Sequence, residues 1–390
     1  MARGQIIAFA ALLIVSLFGA TAATAASPKW CDSLCHGVSV EVRPAYHMVS
    51  HYAMREGNHP LNNTLSLHAR YRFSFSNNSR LGKLFPTAYQ GIGIATYTYW
   101  EHELMGTPMA LYLFQGAHIA DLTLDLAVGY EWNLGYSWGW HPNEAMNSRG
   151  NVMVNVAIPL TWRADDNWEL SLTPDFTHFS NGDTHFPNAG SNMFGVRLGA
   201  TYLFNAERIE APAKRLIAPS NTLRDKSFAK HISYDIIAYG GWRADRFIEN
   251  GTFFYIDKAL PIAGINIQPT YHLNDYFAIG ASLDLQLDSS LNLYNGVKDA
   301  DGVTIAYARP SLWEQTEVGA SLRGEISAPI FTVGVGIGIN MHDAGYDMSR
   351  IYTTFSLKAH LTRRLFIYVG YRFNSTQYTH NLMYGIGIRV

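Results

Sequence analysis

Apolar and polar positions alternate with a period of two from about residue 39 to the C-terminus, as in strands with one apolar face. The alternation predicts strands over 39–50, 64–75, 89–100, 110–115, 122–135, 151–162, 168–178 and 192–204. After a polar insert over 206–230 they resume over 232–244, 262–273, 276–287, 317–326, 331–339, 352–360, 365–374 and 382–390. In the last stretch Leu382, Tyr384, Ile386, Ile388 and Val390 oppose Met383, Gly385, Gly387 and Arg389. Such a division, strand after strand, fits a wall between lipid and a polar interior better than a water-soluble sandwich. Short joints at 163–167, 274–275 and 361–364 contrast with long polar ones at 55–63, 136–150, 181–191, 289–312 and 343–350, as periplasmic turns contrast with outer loops. We therefore expect an all-β protein: a single transmembrane antiparallel β-barrel of about 14 strands, roughly 12 to 16. It would span residues 26–390, its last strand closing against its first.

The N-terminus reads differently. Arg3, an apolar run from Ile6 to Phe18 and the small residues from Thr21 to Ala26 have the order of a signal peptide, residues 1–25, and imply export. Beyond it no apolar stretch approaches the ~20 residues that a membrane helix needs, so any crossing is by strands, in the cell outer membrane. Composition agrees: 23 Tyr, 20 Phe, 9 Trp and 33 Gly against 15% charged residues. A formal net charge of −2 gives no basic excess, so no nucleic acid partner is expected. Cys31 and Cys35, the only cysteines, suit a small disulfide loop in an oxidising compartment and fit no strong metal pattern.

One segment carries chemistry. On the strand from Trp168, the face of Leu170, Leu172, Pro174 and Phe176 continues into His178 and Ser180, while Glu169, Ser171, Thr173, Asp175 and Thr177 oppose it. The apolar face should meet lipid, so His178 and Ser180 are expected to project outward at its polar end. Residues i and i+2 share a face, and an imidazole near a serine hydroxyl can act as its base. Asn192, on the same parity of the next strand, can hold the ring in one tautomer, as an amide does in some cysteine proteases. Backbone N–H groups at Asn181-Gly182, or the Asn181 side chain, can face an oxyanion. The plainer reading makes His178 and Ser180 polar rim residues at headgroup level.

The segment His178-Phe179-Ser180-Asn181, with Pro187-Asn188-x-Gly190 and the strand after it, resembles the outer-membrane lipid A 3-O-deacylase (PagL-like, acyloxyacyl hydrolase) family over roughly 129–204. The chain is about twice the size of the compact eight-stranded members. The resemblance implies that Ser180 is the nucleophile, His178 its base and Asn181 part of the oxyanion site, with a fatty acid released from lipid A. It also implies an acid at position 192, where this chain has Asn192. An amide orients imidazole without offsetting its positive charge, so a weakened or inactive member stays open, with Asp183 or Glu144 as substitute acids.

The resulting expectation is a serine esterase acting on lipopolysaccharide in the outer leaflet, with no cofactor and no metal, and with a homodimer left open. The alternative is a non-catalytic barrel: a narrow channel, a surface protein or a scaffold. His185 is a weaker catalytic candidate. His47, His51, His59 and His68 have no metal-specifying spacing. The 299–302 turn is a weak calcium candidate. Glu169, Asp175 and Arg197 should pair inside the barrel, and Trp132, Tyr136, Trp138 and Trp140 should form an interface girdle. Residues 168–198 and 365–388 resemble each other weakly as hairpins, but the second lacks a His-x-Ser.

Overall fold

A computed structural model of the protein describes residues 34–48, 62–143, 146–186, 188–208, 231–249, 252–256, 258–293, 310–342, 350–374 and 380–390. The expected leader, Cys31, His51, His59, Glu144, Pro187 and the acidic turn at 299–302 lie outside these residues.

The expected single barrel of about 14 strands does not form; the strands divide between two main sheets. The first holds β1 (Leu34–Met48), β2 (Asn63–Phe75), β3 (Ala88–Thr98), β4 (Gly106–Asp121), β5 (Leu126–Trp140), β6 (Gly150–Ala157), β7 (Leu160–Arg163), β8 (Trp168–Ser180) and β9 (Ser191–Phe204). Short helices α1 (Arg80–Leu84) and α2 (His102–Met105) flank β3. The strand order is β4-β3-β2-β1-β9-β8-β6-β5-β7, and β4 also pairs with β5, so the ladder returns on itself. Both β6 and β7 lie between β5 and β8, as two halves of the one strand predicted over 151–162. Ile158-Pro159 separates them, because proline has no N–H for the ladder.

The second sheet is a closed barrel of β10 (Ile232–Arg243), β13 (Leu260–His272), β14 (Phe277–Asp288), β15 (Thr316–Ser327), β16 (Phe331–His342), β17 (Ile351–His360), β18 (Leu365–Phe373) and β19 (Asn381–Arg389). The hairpin β11 (Arg246–Glu249) and β12 (Thr252–Tyr255) stands apart from it. Each predicted strand has its counterpart, but the partition differs. Alternation tells which residues face out, not which strand closes on which. Here β1 closes on β9, with His36 opposite Phe204, and β19 closes on β10, with Arg389 opposite Asp235.

The three tight joints are fixed by side-chain oxygens acting as turn acceptors. Asp165 Oδ1 accepts from the N–H groups of Asn167 and Trp168 at 2.7 and 2.8 Å. Asn274 Oδ1 accepts from Tyr276 and Phe277 at 2.8 Å each, and Thr362 Oγ1 accepts from Arg364 and Leu365 at 3.1 and 2.9 Å.

Both interiors are polar and cross-linked by ion pairs. In the first sheet Arg197 contacts Asp175, Glu41 and Glu131 at 3.0, 3.1 and 2.9 Å. Arg43 also holds Asp175, Arg70 bridges Glu41 and Glu131, and Arg72 meets Glu169. In the barrel, Lys358 joins Asp235 to Glu325, and Arg323 meets Asp284. Buried charges require such partners. The outward rows are aliphatic and aromatic, exposed as a lipid-facing wall must be.

The girdle expectation needs correcting. Trp140 is buried on the inner face, donating to Ser137 Oγ at 2.9 Å. Trp132 packs on Phe331 of the barrel, with ring centroids 5.1 Å apart. Only Tyr136 and Trp138 of that group stand exposed. The Trp132–Phe331 pair is one of several contacts between the sheets. Phe85, after α1, packs edge-on against Tyr276 at 5.2 Å, and the Tyr276 hydroxyl donates to Leu84 O. At another contact Ala244 N–H donates to Asp183 O at 2.7 Å.

Candidate active site

Strand β8 delivers His178 and Ser180 just before the loop leading to β9. Phe176, His178 and Ser180 are half-buried, whereas Asp175, Thr177, Phe179 and Asn181 are buried, so the expected outward parity holds. His178 pairs in register with Asn192 on one side and Val154 on the other. Asn192 Oδ1 lies 2.7 Å from His178 Nδ1. With the amide oxygen facing the ring, Nδ1 carries the hydrogen and Nε2 keeps its lone pair. That is the tautomer a base toward Ser180 requires. Among the described residues no hydrogen bond joins the ring directly to Ser180.

Gly190 stands behind the imidazole. It has φ +70°, and a Cβ there would come within 2.9 Å of both His178 Cε1 and Phe179 O. Only glycine combines the left-handed backbone with so close an approach. Asn188 ties the loop together: its Oδ1 accepts from Asn181 N–H at 3.3 Å, and its Nδ2 donates to Asp183 Oδ1 at 3.0 Å. The Pro-Asn-x-Gly sequence thus has a structural task at Asn188 and Gly190 that alternation alone did not signal.

Asn181 is turned into this loop. Its Nδ2 donates to His185 O at 2.9 Å and Ser148 Oγ at 3.4 Å, and its Oδ1 accepts from Thr184 N–H at 3.1 Å. The structure therefore brings His178 and Asn192 together with Ser180 on their face, and keeps the Asn181 amide with its own turn. Asp183, a candidate substitute acid, is engaged with Asn188. Asp175 lies inside, bound by Arg43 and Arg197. His185 sits in the loop beside Thr184.

Apolar side chains surround the polar group. Val154, Val156, Phe194, Tyr46 and Met48 are exposed around it, and Phe176 packs against Phe194 with centroids 4.9 Å apart. A groove of about 580 Å³, lined by Tyr46, Leu65, Trp100, Phe194 and Val196 among others, runs along the same outer face.

Serine–histidine contacts also occur inside the sheet. His47 Nε2 lies 3.0 Å from Ser191 Oγ, which lies 3.2 Å from Tyr99 Oη. Ser66 and His68 make a similar pair at 3.0 Å. All are buried on the inner face. No grouping of His, Cys, Asp and Glu among the described residues has the form of a metal site. Cys35 is a buried free thiol.

Two family models match the chain. Lipid A 3-O-deacylase (PagL) covers residues 63–201, and the acyloxyacyl hydrolase C-terminal domain (PagL_C) covers 232–390. No curated protein matches. Among solved structures the chain is similar to Neisserial surface protein A, at 9% identity over 43% of this chain and 97% of that one, with a TM-score of 0.30. It is also similar to a deletion mutant of the TodX monoaromatic hydrocarbon channel, at 9% identity over 93% and 90%, with a TM-score of 0.19. An outer membrane channel from Pseudomonas putida F1 matches at 12% identity over 92% and 94%, with a TM-score of 0.19.

Proposed function

The chain belongs to the lipid A 3-O-deacylase (PagL) family of outer-membrane β-barrel hydrolases, and from that premise we propose that it is a serine esterase removing an ester-linked acyl chain from lipid A in the outer leaflet. The observation that carries the reading is the 2.7 Å hydrogen bond that Asn192 Oδ1 accepts from His178 Nδ1, which leaves the Nε2 lone pair on the face shared with Ser180.

Ser180 Oγ attacks the ester carbonyl while His178 Nε2 takes its proton. The tetrahedral oxyanion is met by the main-chain N–H of Gly182, because Asn181 N–H donates to Asn188 Oδ1 and both amide hydrogens of the Asn181 side chain are engaged elsewhere. His178 returns the proton to the departing sugar oxygen, leaving an acyl-serine. Water, deprotonated by the same imidazole, then releases the fatty acid. The apolar surroundings suit a substrate that stays in the membrane, with the groove beside Phe194 holding an acyl chain. Asn192 orients the ring without neutralising imidazolium, so turnover is slower than a carboxylate at that place would give.

Mass spectrometry of lipid A from cells expressing the wild type, Ser180→Ala and His178→Ala tests this reading. Loss of one acyl chain with the wild type alone is expected. Identical spectra from all three, with the protein inserted, would leave a non-catalytic barrel.

A further inference from the structure

The two sheets repeat one hairpin. Asn192-Met193-Phe194-Gly195-Val196 opens β9, and Leu382-Met383-Tyr384-Gly385-Ile386 lies at the start of β19. In β8–β9 His178 is opposite Asn192; in β18–β19 Tyr371 is opposite Leu382. The register therefore sets Tyr371 in the place of His178, Phe373 in that of Ser180 and Leu382 in that of Asn192. All three polar positions of the first unit are aromatic or aliphatic in the second.

Their surroundings differ as well. Tyr384, Ile386 and Ile388 are exposed on the outward row of β19, yet Leu382, on the same row, is only 7% exposed. Asn381, Leu382 and Met383 are buried in succession, which breaks the alternation of a strand with one lipid-facing side. The cover comes from the first unit. A Cβ on Gly182 would lie 2.1 Å from Leu382 Cδ1, so the leucine side chain rests directly on the Gly182 backbone. Gly182 and Asp183 both have positive φ, +64° and +63°, a conformation that costs energy at Asp183 and needs support. The next carbonyl, Asp183 O, accepts from Ala244 N–H at the end of β10.

We infer that the C-terminal barrel, with apolar residues in the places of the reactive group, uses Leu382 and Ala244 N–H as a brace that holds the Gly182-Asp183 turn in position beside Ser180. Leu382 is a positioning residue, acting through the turn whose main chain meets the oxyanion. This rests on the esterase reading above. In the second unit the place of Asn192 is thus taken by the brace, opposite Tyr371 in the place of His178.

The test uses the full chain in detergent, comparing Leu382→Ala, Leu382→Ile and, as a lipid-facing control on the same row, Ile386→Ala. Amide hydrogen exchange over residues 181–184 reads the turn, and lipid A deacylation reads kcat and KM. Leu382→Ala should raise exchange at 181–184 about tenfold or more and lower kcat about tenfold with KM unchanged, as misplacement near reacting atoms does. Leu382→Ile should restore most of both, and Ile386→Ala should change neither. Unchanged exchange in Leu382→Ala overturns the brace, as does faster exchange with unchanged kcat. If Leu382→Ala fails to fold, Leu382→Val, which shortens the same contact, is judged by the same two outcomes. Absence of hydrolysis in the wild type would instead sink the esterase reading, leaving exchange at 181–184 to decide the brace alone.

Discussion

His178 and Asn192 are direct cross-strand partners, and the amide oxygen reaches Nδ1 at 2.7 Å without help from a loop. Ring orientation is therefore set by the pairing of β8 with β9, and only the charge of the orienting group is left to side-chain choice. Asn192→Asp places a carboxylate oxygen where the amide oxygen stands. Charge-assisted hydrogen bonds are about twice as strong as neutral ones, and a gain of about 1.4 kcal/mol in the transition state is tenfold in rate. Turnover in Asn192→Asp should rise about tenfold, measured as initial rates of fatty-acid release from lipid A. Asn192→Leu, which copies position 382, should fall at least about a hundredfold. Equal rates in all three would remove Asn192 from the mechanism.

Gly190→Ala tests the other side of the ring. The added methyl meets His178 Cε1 and Phe179 O at 2.9 Å on a backbone with φ +70°. The peptide oxygen is held in the sheet, so the imidazole must give way. A displacement of about 1 Å near reacting atoms costs roughly a hundredfold in rate. The variant should lose that much kcat while still inserting as a folded barrel, read by the mobility difference between unheated and heated samples on electrophoresis. Full activity would mean that the ring has room to spare.

Much of this was legible in the sequence, and the rest was hidden for identifiable reasons. Strand positions, the outward placement of His178, Ser180 and Asn192, and the pairing of Glu169, Asp175 and Arg197 with interior partners all follow from side-chain parity. Parity is local, however, and closure is not. Nothing in the 168–204 stretch says that β9 returns to β1 rather than passing on to β10, so two units read as one larger barrel. Trp140 shares the sequence parity of the exposed Tyr136 and Trp138, but the alternation is broken just before it. Gly139, with φ +86°, precedes it at the end of β5, and Trp140 is buried on the inner side. Chemistry and resemblance both offer the Asn181 amide to the oxyanion, whereas its bonds to Ser148, Thr184 and His185 depend on how the loop folds back.

Two serines near the β8–β9 hairpin each have a histidine close by, and a third prediction separates them. Ser191 is the one already within hydrogen-bond distance of an imidazole, at 3.0 Å from His47. It is nevertheless 2% exposed on the inner face. Ser191→Ala should leave deacylation within about threefold of the wild type. It should lower the unfolding midpoint by an amount that fits about 0.5–1.5 kcal/mol for the loss of an ordinary buried hydrogen bond. Loss of activity in a folded Ser191→Ala, with Ser180→Ala unaffected, would move the nucleophile to the interior.

The interior pairs of the first sheet make a charge balance that can be tested by breaking and restoring it. Arg43, Arg70 and Arg197 face Glu41, Glu131 and Asp175, three cations against three anions in mutual contact. Arg197→Met keeps volume but leaves two guanidinium groups to serve three carboxylates. Breaking a buried pair from one side costs roughly 3–5 kcal/mol, because an uncompensated charge stays behind. Urea unfolding of the purified protein in detergent should show a loss of that size. Adding Glu131→Gln removes the surplus carboxylate and leaves two cations against two anions, so the double variant should be more stable than Arg197→Met alone. The coupling should be about 1–3 kcal/mol, as for residues sharing one network. Simple additivity of the two changes would show that these groups act as separate polar contacts and not as one balanced cluster.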